Sequence, residues 1–281
     1  MSFTPGASAQ GAPTIGVFDS GFGGLTVLRA LVERMPQARY AFLGDTARLP
    51  YGSKSRRTIA RFAAQSAQFL VKEQGAQFLV IACNTASALA LDAIQDAVPV
   101  PVLGVIRPGA SAAHAASQNG DVLVIATDAT VQSHAYAQAC QALGLRALEK
   151  ACPLLVPLVE EGWTEHTVTD QVIRIYLQEL REQAAAAGLK PDTLVLGCTH
   201  YPLVRPLIEA AVRTGVRVID SAESTAIEAE RLFGSNFPPA PANHQPELRF
   251  FATDSIEKFE RLGSRFLGRP VQHVELIDLG G

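Results

Sequence analysis

Short, nearly unbroken apolar runs alternate along this chain with longer segments in which apolar residues recur every third or fourth position. The runs Ile15–Phe18, Tyr40–Leu43, Phe78–Ala82, Val100–Val105, Val122–Ala126, Thr193–Leu196, Val216–Ile219 and Leu248–Phe251 predict strands. Several lack any polar break, the pattern of strands buried on both faces. Between them the spacing predicts helices, among them Arg57–Gln74 and Val168–Ala186. In the first, Ile59, Phe62, Ala63, Ser66, Phe69 and Leu70 share one helical face. Alternating strands and helices predict an α/β fold with mainly parallel sheets. Gly234–Pro246 holds four prolines and reads as an irregular connection.

The pattern is also doubled. Leu79–Thr85 (LVIACNT) is an apolar strand that ends in a small residue, a cysteine and two polar residues, and Leu194–His200 (LVLGCTH) repeats it. Gly16–Ser20 and Val124–Thr130 form a looser second match. A doubled α/β unit follows, with Cys83 and Cys198 each at the C-terminal edge of a strand, where open α/β sheets bind ligands. If the halves face each other, the two thiols approach one cleft from opposite sides. Each is expected where a strand gives way to a helix, whose N-terminal amides favour the thiolate. Two thiols flanking one carbon suit a two-base racemisation, in which one removes an α-proton and the other delivers one. Packing, a disulfide, or a zinc site built from Cys83, Cys198 and His200 are the rival readings. Cys140, within the predicted helix Ala135–Leu143, and Cys152, before Pro153, read as structural.

Polar residues gather at the same strand ends. Asp19 and Ser20 precede Gly21, Phe22, Gly23 and Gly24; Asp19 could orient an ammonium or assist a thiol, or the pair could cap a helix. Gly21 and Gly23, with Asp45 downstream, superficially suggest a dinucleotide loop, but Thr26 stands at the last glycine position. Pro50, Tyr51 and Gly52 form a candidate substrate loop. Asn84 and Thr85, and Thr199 and His200, follow the cysteines and can bind a carboxylate, with His200 a proton partner for a thiol. Thr127 and Thr130 add hydroxyls, and Glu160 or Glu161 could hold His200. His114, His134, His166, His244 and His273 lack such company.

Composition narrows the classes. The 281 residues are 48% hydrophobic and 18% charged, enough for a packed core in one large domain or two small ones. With 24 basic against 27 acidic residues, the charge of -3 gives no reason to expect a nucleic-acid partner. No apolar run reaches the roughly 18–20 residues of a membrane span. Met1–Thr14, uncharged and rich in Ala, Gly, Ser and Pro, reads as a flexible extension rather than a secretory signal. Four cysteines in this length make no disulfide framework, so a reducing, cytoplasmic setting is expected.

Longer blocks add a resemblance. Val17–Leu28, Leu49–Ser55, Ala82–Ala88, Gly104–Ala110, Ala126–Val131 and Leu196–Leu203 together closely resemble the glutamate racemase family, in the expected order from about Thr14 to about Leu267. The resemblance implies a cofactor-independent, metal-free enzyme that interconverts L- and D-glutamate and supplies D-glutamate for peptidoglycan. It implies two pseudo-symmetric, doubly wound domains with the active site between them: residues 15–106 with 219–281, and an inserted 107–218. Carried over, Cys83 is the thiolate acting on D-glutamate and Cys198 the one acting on L-glutamate. Asp19 and His200 are their helpers, and Glu160 the partner of His200. Asp19–Ser20, Tyr51–Gly52, Asn84–Thr85 and Thr199–His200 are the implied substrate contacts. The family forms dimers, so a homodimer is expected. The N-terminal extension and Arg107, at a position that varies in the family, depart from the pattern without touching these residues. The same fold acting on aspartate, a hydantoin or another small acid is the alternative. A non-catalytic binding protein or redox sensor would use the thiols differently. A pyridoxal enzyme would need a cleft lysine, and none of the five lysines is expected at a strand end there.

Overall fold

The computed structural model describes residues 13–237 and 244–280. Residues 1–12 of the expected flexible extension therefore lie outside the described residues, and Thr14 already belongs to the first strand. Of the predicted connection Gly234–Pro246, residues 238–243 likewise fall outside, and Gly234–Asn236 form a turn of 3-10 helix.

The strands in chain order are β1 (Thr14–Asp19), β2 (Arg39–Gly44), β3 (Phe78–Ile81), β4 (Val102–Gly104), β5 (Asp121–Ala126), β6 (Arg146–Ala151), β7 (Thr193–Gly197), β8 (Arg217–Asp220), β9 (Leu248–Ala252) and β10 (Val274–Leu276). They form a six-stranded sheet, ordered β10-β9-β2-β1-β3-β4, and a four-stranded sheet, ordered β6-β5-β7-β8. Every pairing is parallel. The first sheet draws on both ends of the chain and the second on the stretch between. The apolar-run criterion missed β6 and β10, which are sheet edges. In β6 (RALEKA) no residue is fully buried, and β10 spans only three residues. Val100 falls outside β4 because the prolines at 99 and 101 supply no N–H to a ladder there. The expected domain boundary at residue 219 falls inside β8.

Helices cover the sheets as the spacing requires. Arg56–Lys72 starts at Ser55, whose hydroxyl accepts the Thr58 N–H, and buries Ile59, Phe62, Ala63, Ser66, Ala67 and Leu70. Thr167–Ala186 is capped by His166, whose ring nitrogen accepts the Val168 N–H, and buries Ile173, Leu177, Leu180 and Ala184. Each such Leu or Ile contributes about 1.5–3 kcal/mol on leaving water. One apolar cluster crosses between the sheets. It runs from Val17 and Leu28 through Ala226 and Phe233 of helix Ser221–Phe233 to Leu194, Leu196 and Tyr201. The helix Leu25–Arg34 packs directly on Ser221–Phe233, joining the two halves.

Register sets the functional edge. Phe18 pairs with Ile81, so the register carries Asp19 opposite Ala82 and releases Ser20 and Cys83 side by side. Ala126 pairs with both Ala151 and Gly197, so Thr127, Cys152 and Cys198 leave the second sheet at one height.

Candidate active site

A cleft of about 540 Å³ opens between the C-terminal edges of the two sheets. Cys83 and Cys198 both line it, each about 95% buried, together with Ser20, Pro50, Tyr51 and Gly52. Asn84, Thr85, Thr127, Glu160, Thr199 and His200 complete the expected set. Asp19 and Thr130 do not reach the surface of the cleft. Asp19 is buried beneath Ser20, and Thr130 lies behind Thr127 and Thr85. A larger cavity, about 720 Å³, lies at the opposite edge of the four-stranded sheet, flanked by Arg181, Lys190 and Arg213; it contains no thiol or imidazole.

Around Cys83 the groups are hydroxyl, carboxylate and backbone. Cys83 caps the helix Asn84–Leu89, its sulfur accepting the Ala86 N–H at 3.4 Å, and Ser20 Oγ stands 3.4 Å away. The expectation of a lowered thiol pKa fails here. Burial pushes the Cys83 thiol up to about 12, the Asp19 charge adds to the rise, and the Ser20 and Ala86 hydrogen bonds offset only part of it. Asp19 accepts the Gly21 N–H at 3.0 Å through Oδ2, while Oδ1 is buried without a partner. Burial raises its pKa above the ordinary carboxylate value against the pull of His200.

Around Cys198 the groups form an ion-pair chain. No helix follows at once: the chain turns, and a 3-10 segment, Tyr201–Val204, begins three residues on. His200 Nδ1 lies 3.9 Å from Cys198 Sγ, and His200 Nε2 lies 3.3 Å from Glu160 Oε1. Burial would depress the imidazole, but its hydrogen bonds to Cys198 and Glu160 outweigh that and raise it to about 10. Burial works against the Glu160 charge, yet His200 and Lys258 hold this carboxyl below its usual range. Glu160 Oε2 meets Lys258 Nζ at 3.4 Å. This cation lines the cleft from the helix Ile256–Leu267 rather than from a strand end, a route the expectation about lysines at strand ends did not consider.

The glycine-rich loop after β1 serves both thiols. Ser20 faces Cys83, while a side-chain carbon at Gly23 would collide with Thr199 Oγ1 and the His200 ring. Thr26 Oγ1 donates to the Thr199 carbonyl at 3.0 Å. Thr85, Thr127 and Thr130 form a hydroxyl triangle with edges of 3.1, 3.4 and 2.9 Å. Tyr51 donates its hydroxyl to Asp45 Oδ2 at 2.6 Å, leaving its ring and backbone for the cleft. Asp45 also accepts from Thr253, so it is spent on holding this loop and offers no ribose contact.

Sequence reasoning missed three groups here. Cys152 lines the cleft although it is also core; burial pushes its thiol up to about 12. Recognising β6 as a strand would have placed it at a strand end. Lys258 carries no local signal. Tyr136, fully buried, donates to Asn84 Oδ1 at 2.8 Å from a helix on the other half of the molecule.

Comparison with known proteins agrees with this arrangement. The family model described as Asp/Glu/Hydantoin racemase matches residues 15–229. A glutamate racemase of Koribacter versatilis is 54% identical, over 96% of this chain and 98% of the relative. Among solved structures, a glutamate racemase isoform of Bacillus anthracis superposes with a TM-score of 0.86 at 37% identity, covering 95% of this chain and 98% of that one. The glutamate racemase of Francisella tularensis in complex with D-glutamate gives 0.84 at 36%, with coverage of 95% and 98%. With a family model spanning most of its length and near-complete relatives at this identity, the chain belongs to the Asp/Glu/hydantoin racemase family.

Proposed function

We propose that this chain is a glutamate racemase, interconverting L- and D-glutamate by proton transfer between two thiols. The observation that carries the reading is the pair Cys83 and Cys198 at the edges of separate sheets, lining one cleft, each with its own polar helper. With the α-carbon between the sulfurs, Cys198 removes the α-proton of L-glutamate and Cys83 delivers a proton to the opposite face. The reverse reaction exchanges the roles. Cys83, pushed up to about 12, enters the L-to-D direction carrying the proton it must give. His200, held charged by Glu160, passes a proton to or from Cys198, and Asp19 assists Cys83. Asn84 Nδ2, buried without a partner on a residue that lines the cleft, is ready for a substrate carboxylate, while Asp19, beneath Ser20, acts through Cys83. Ser20, Thr85, Thr127, Thr199 and the Pro50–Gly52 loop complete the contacts, with Thr130 behind them holding the Thr85 and Thr127 hydroxyls. Each sheet with its helices is read as one domain, and the working form as a cytoplasmic homodimer supplying D-glutamate to peptidoglycan synthesis.

The test is proton NMR of L-glutamate in D2O with purified protein, no added cofactor and a chelator present. Loss of the α-proton signal with appearance of D-glutamate is expected. An unchanged signal under reducing conditions would overturn the reading, and parallel runs with aspartate and hydantoins would then identify the substrate.

A further inference from the structure

Tyr136 holds a position that neither thiol explains. Its helix, Ala135–Gln141, follows β5 of the four-stranded sheet, whereas Asn84 follows β3 of the six-stranded one. The phenol crosses between the halves to place its hydroxyl 2.8 Å from Asn84 Oδ1. Its ring has no room to swing. A side-chain carbon at Gly109 would stand 3.1 Å from Tyr136 Cε1, and one at Gly197 would stand 2.9 Å from Cε2, so two backbones clamp the ring. Burial raises the phenol above its ordinary pKa, so the hydroxyl keeps its proton and is available to donate.

A side-chain amide has one accepting and one donating end. With Oδ1 occupied by the phenol, Nδ2 is turned the other way, and it is buried with no acceptor. Asn84 itself lines the cleft. A buried NH2 left without an acceptor is costly, and that cost is removed when an anionic acceptor arrives. Without the phenol, the amide is free to flip and present its oxygen to the same anion.

We infer that Tyr136 is a positioning residue that fixes the Asn84 amide with its NH2 facing the cleft, so that a substrate carboxylate finds a donor there. The inference rests on the racemase reading above. It names a residue packed with the four-stranded sheet that prepares a binding group released by the six-stranded one.

Tyr136→Phe keeps the clamped ring and deletes the donor. KM should rise about tenfold for both L- and D-glutamate, with kcat within about twofold of wild type, as for the loss of one oriented hydrogen bond to a charged group. The interconverted forms are mirror images of equal energy, so kcat/KM must fall equally in both directions. A carboxylate role then shows as the same fold-rise in KM for the two hands, and damage to one thiol as unequal changes in kcat and KM between them. In an Asn84→Ala background, Tyr136→Phe should add less than about a twofold change, because its route of action is gone. Asn84→Asp, which keeps an acceptor for the phenol but turns a negative oxygen to the cleft, should raise KM by about a hundredfold; it serves even if Tyr136→Phe fails to fold. A Tyr136→Phe enzyme with KM within twofold of wild type would overturn the inference. So would the full tenfold rise appearing in the Asn84→Ala background, or an Asn84→Asp enzyme with wild-type KM. Wild-type protein that leaves both hands of glutamate unchanged would instead overturn the racemase reading.

Discussion

The two thiols occupy matching places and unlike surroundings. Cys83 caps a helix and is accompanied by a serine hydroxyl and a buried carboxylate. Cys198 lies in a turn at the head of a chain that runs through His200 and Glu160 to Lys258. The apparent repeat in sequence thus preserves where a thiol stands and leaves open how its proton is managed. On the Cys83 side, burial and a nearby carboxylate keep the proton on sulfur. On the Cys198 side, a charged imidazole 3.9 Å away keeps a proton next to the sulfur. Two hands of one substrate differ in which face carries hydrogen, so a cleft with two differently managed thiols is free to tune each half-reaction separately.

The comparison breaks most sharply when one sulfur is removed. Cys83→Ser or Cys198→Ser should each lower racemisation by about 10³-fold or more. What survives should be one-handed: slow α-deuteration of D-glutamate with Cys198→Ser and of L-glutamate with Cys83→Ser, followed by NMR with chiral analysis. Deuteration of the same hand in both variants would contradict the assignment of faces. Next in size, His200→Asn should cost about 10²-fold in kcat, a usual share for a proton-transfer group. It should also change the response to pH. A histidine raised from 6.5 to about 10 stabilises the fold fully below the lower value and loses that contribution as pH rises through the higher one. The melting-temperature margin of wild type over His200→Asn should shrink between about pH 7 and about pH 10.5; a constant margin would deny the imidazole its charge.

Smaller effects sharpen the contrast between the strand ends. Gly197→Ala puts a carbon 2.9 Å from Tyr136 Cε2 and 3.0 Å from the Ile125 carbonyl, and should cost about 1–3 kcal/mol in denaturant unfolding. The corresponding place in the other half already holds Ala82, where Ala82→Gly should cost about 1 kcal/mol or less. Smallest of all, Lys258→Met should change kcat by about threefold at most, since the lysine end of the Glu160 pair is 46% exposed and screened. That change should fade in high salt, which steady-state assays with added potassium chloride would read.

Much of this was legible beforehand for a specific reason. Central strands such as β1, β5 and β7 are buried on both faces, and their apolar runs end where the polar residues begin, so the edge bearing Cys83 and Cys198 was visible in the text of the chain. Edge strand β6 has no such run, and Cys152 went unplaced with it. The contacts between halves had no local signature at all. Tyr136 and Asn84 are 52 residues apart, Lys258 and Glu160 98 apart, and each pair exists only because two sheets face each other. The state of the Cys83 thiol was misread because a helix N-terminus is a local feature, whereas burial, which outweighs it, is a property of the assembled cleft.

The order in which the six-stranded sheet takes its strands has a consequence for the chain as it is made. β9 pairs along β2, and Thr253 bonds Asp45 across 208 residues, so a ribosome working from the N terminus exposes the edge of β2 long before its neighbour exists. The strands of the four-stranded sheet, by contrast, all emerge between Asp121 and Asp220. Vectorial synthesis therefore lets the inserted half close first and serve as a platform for the outer one, which becomes complete only after the last strand has left the exit tunnel.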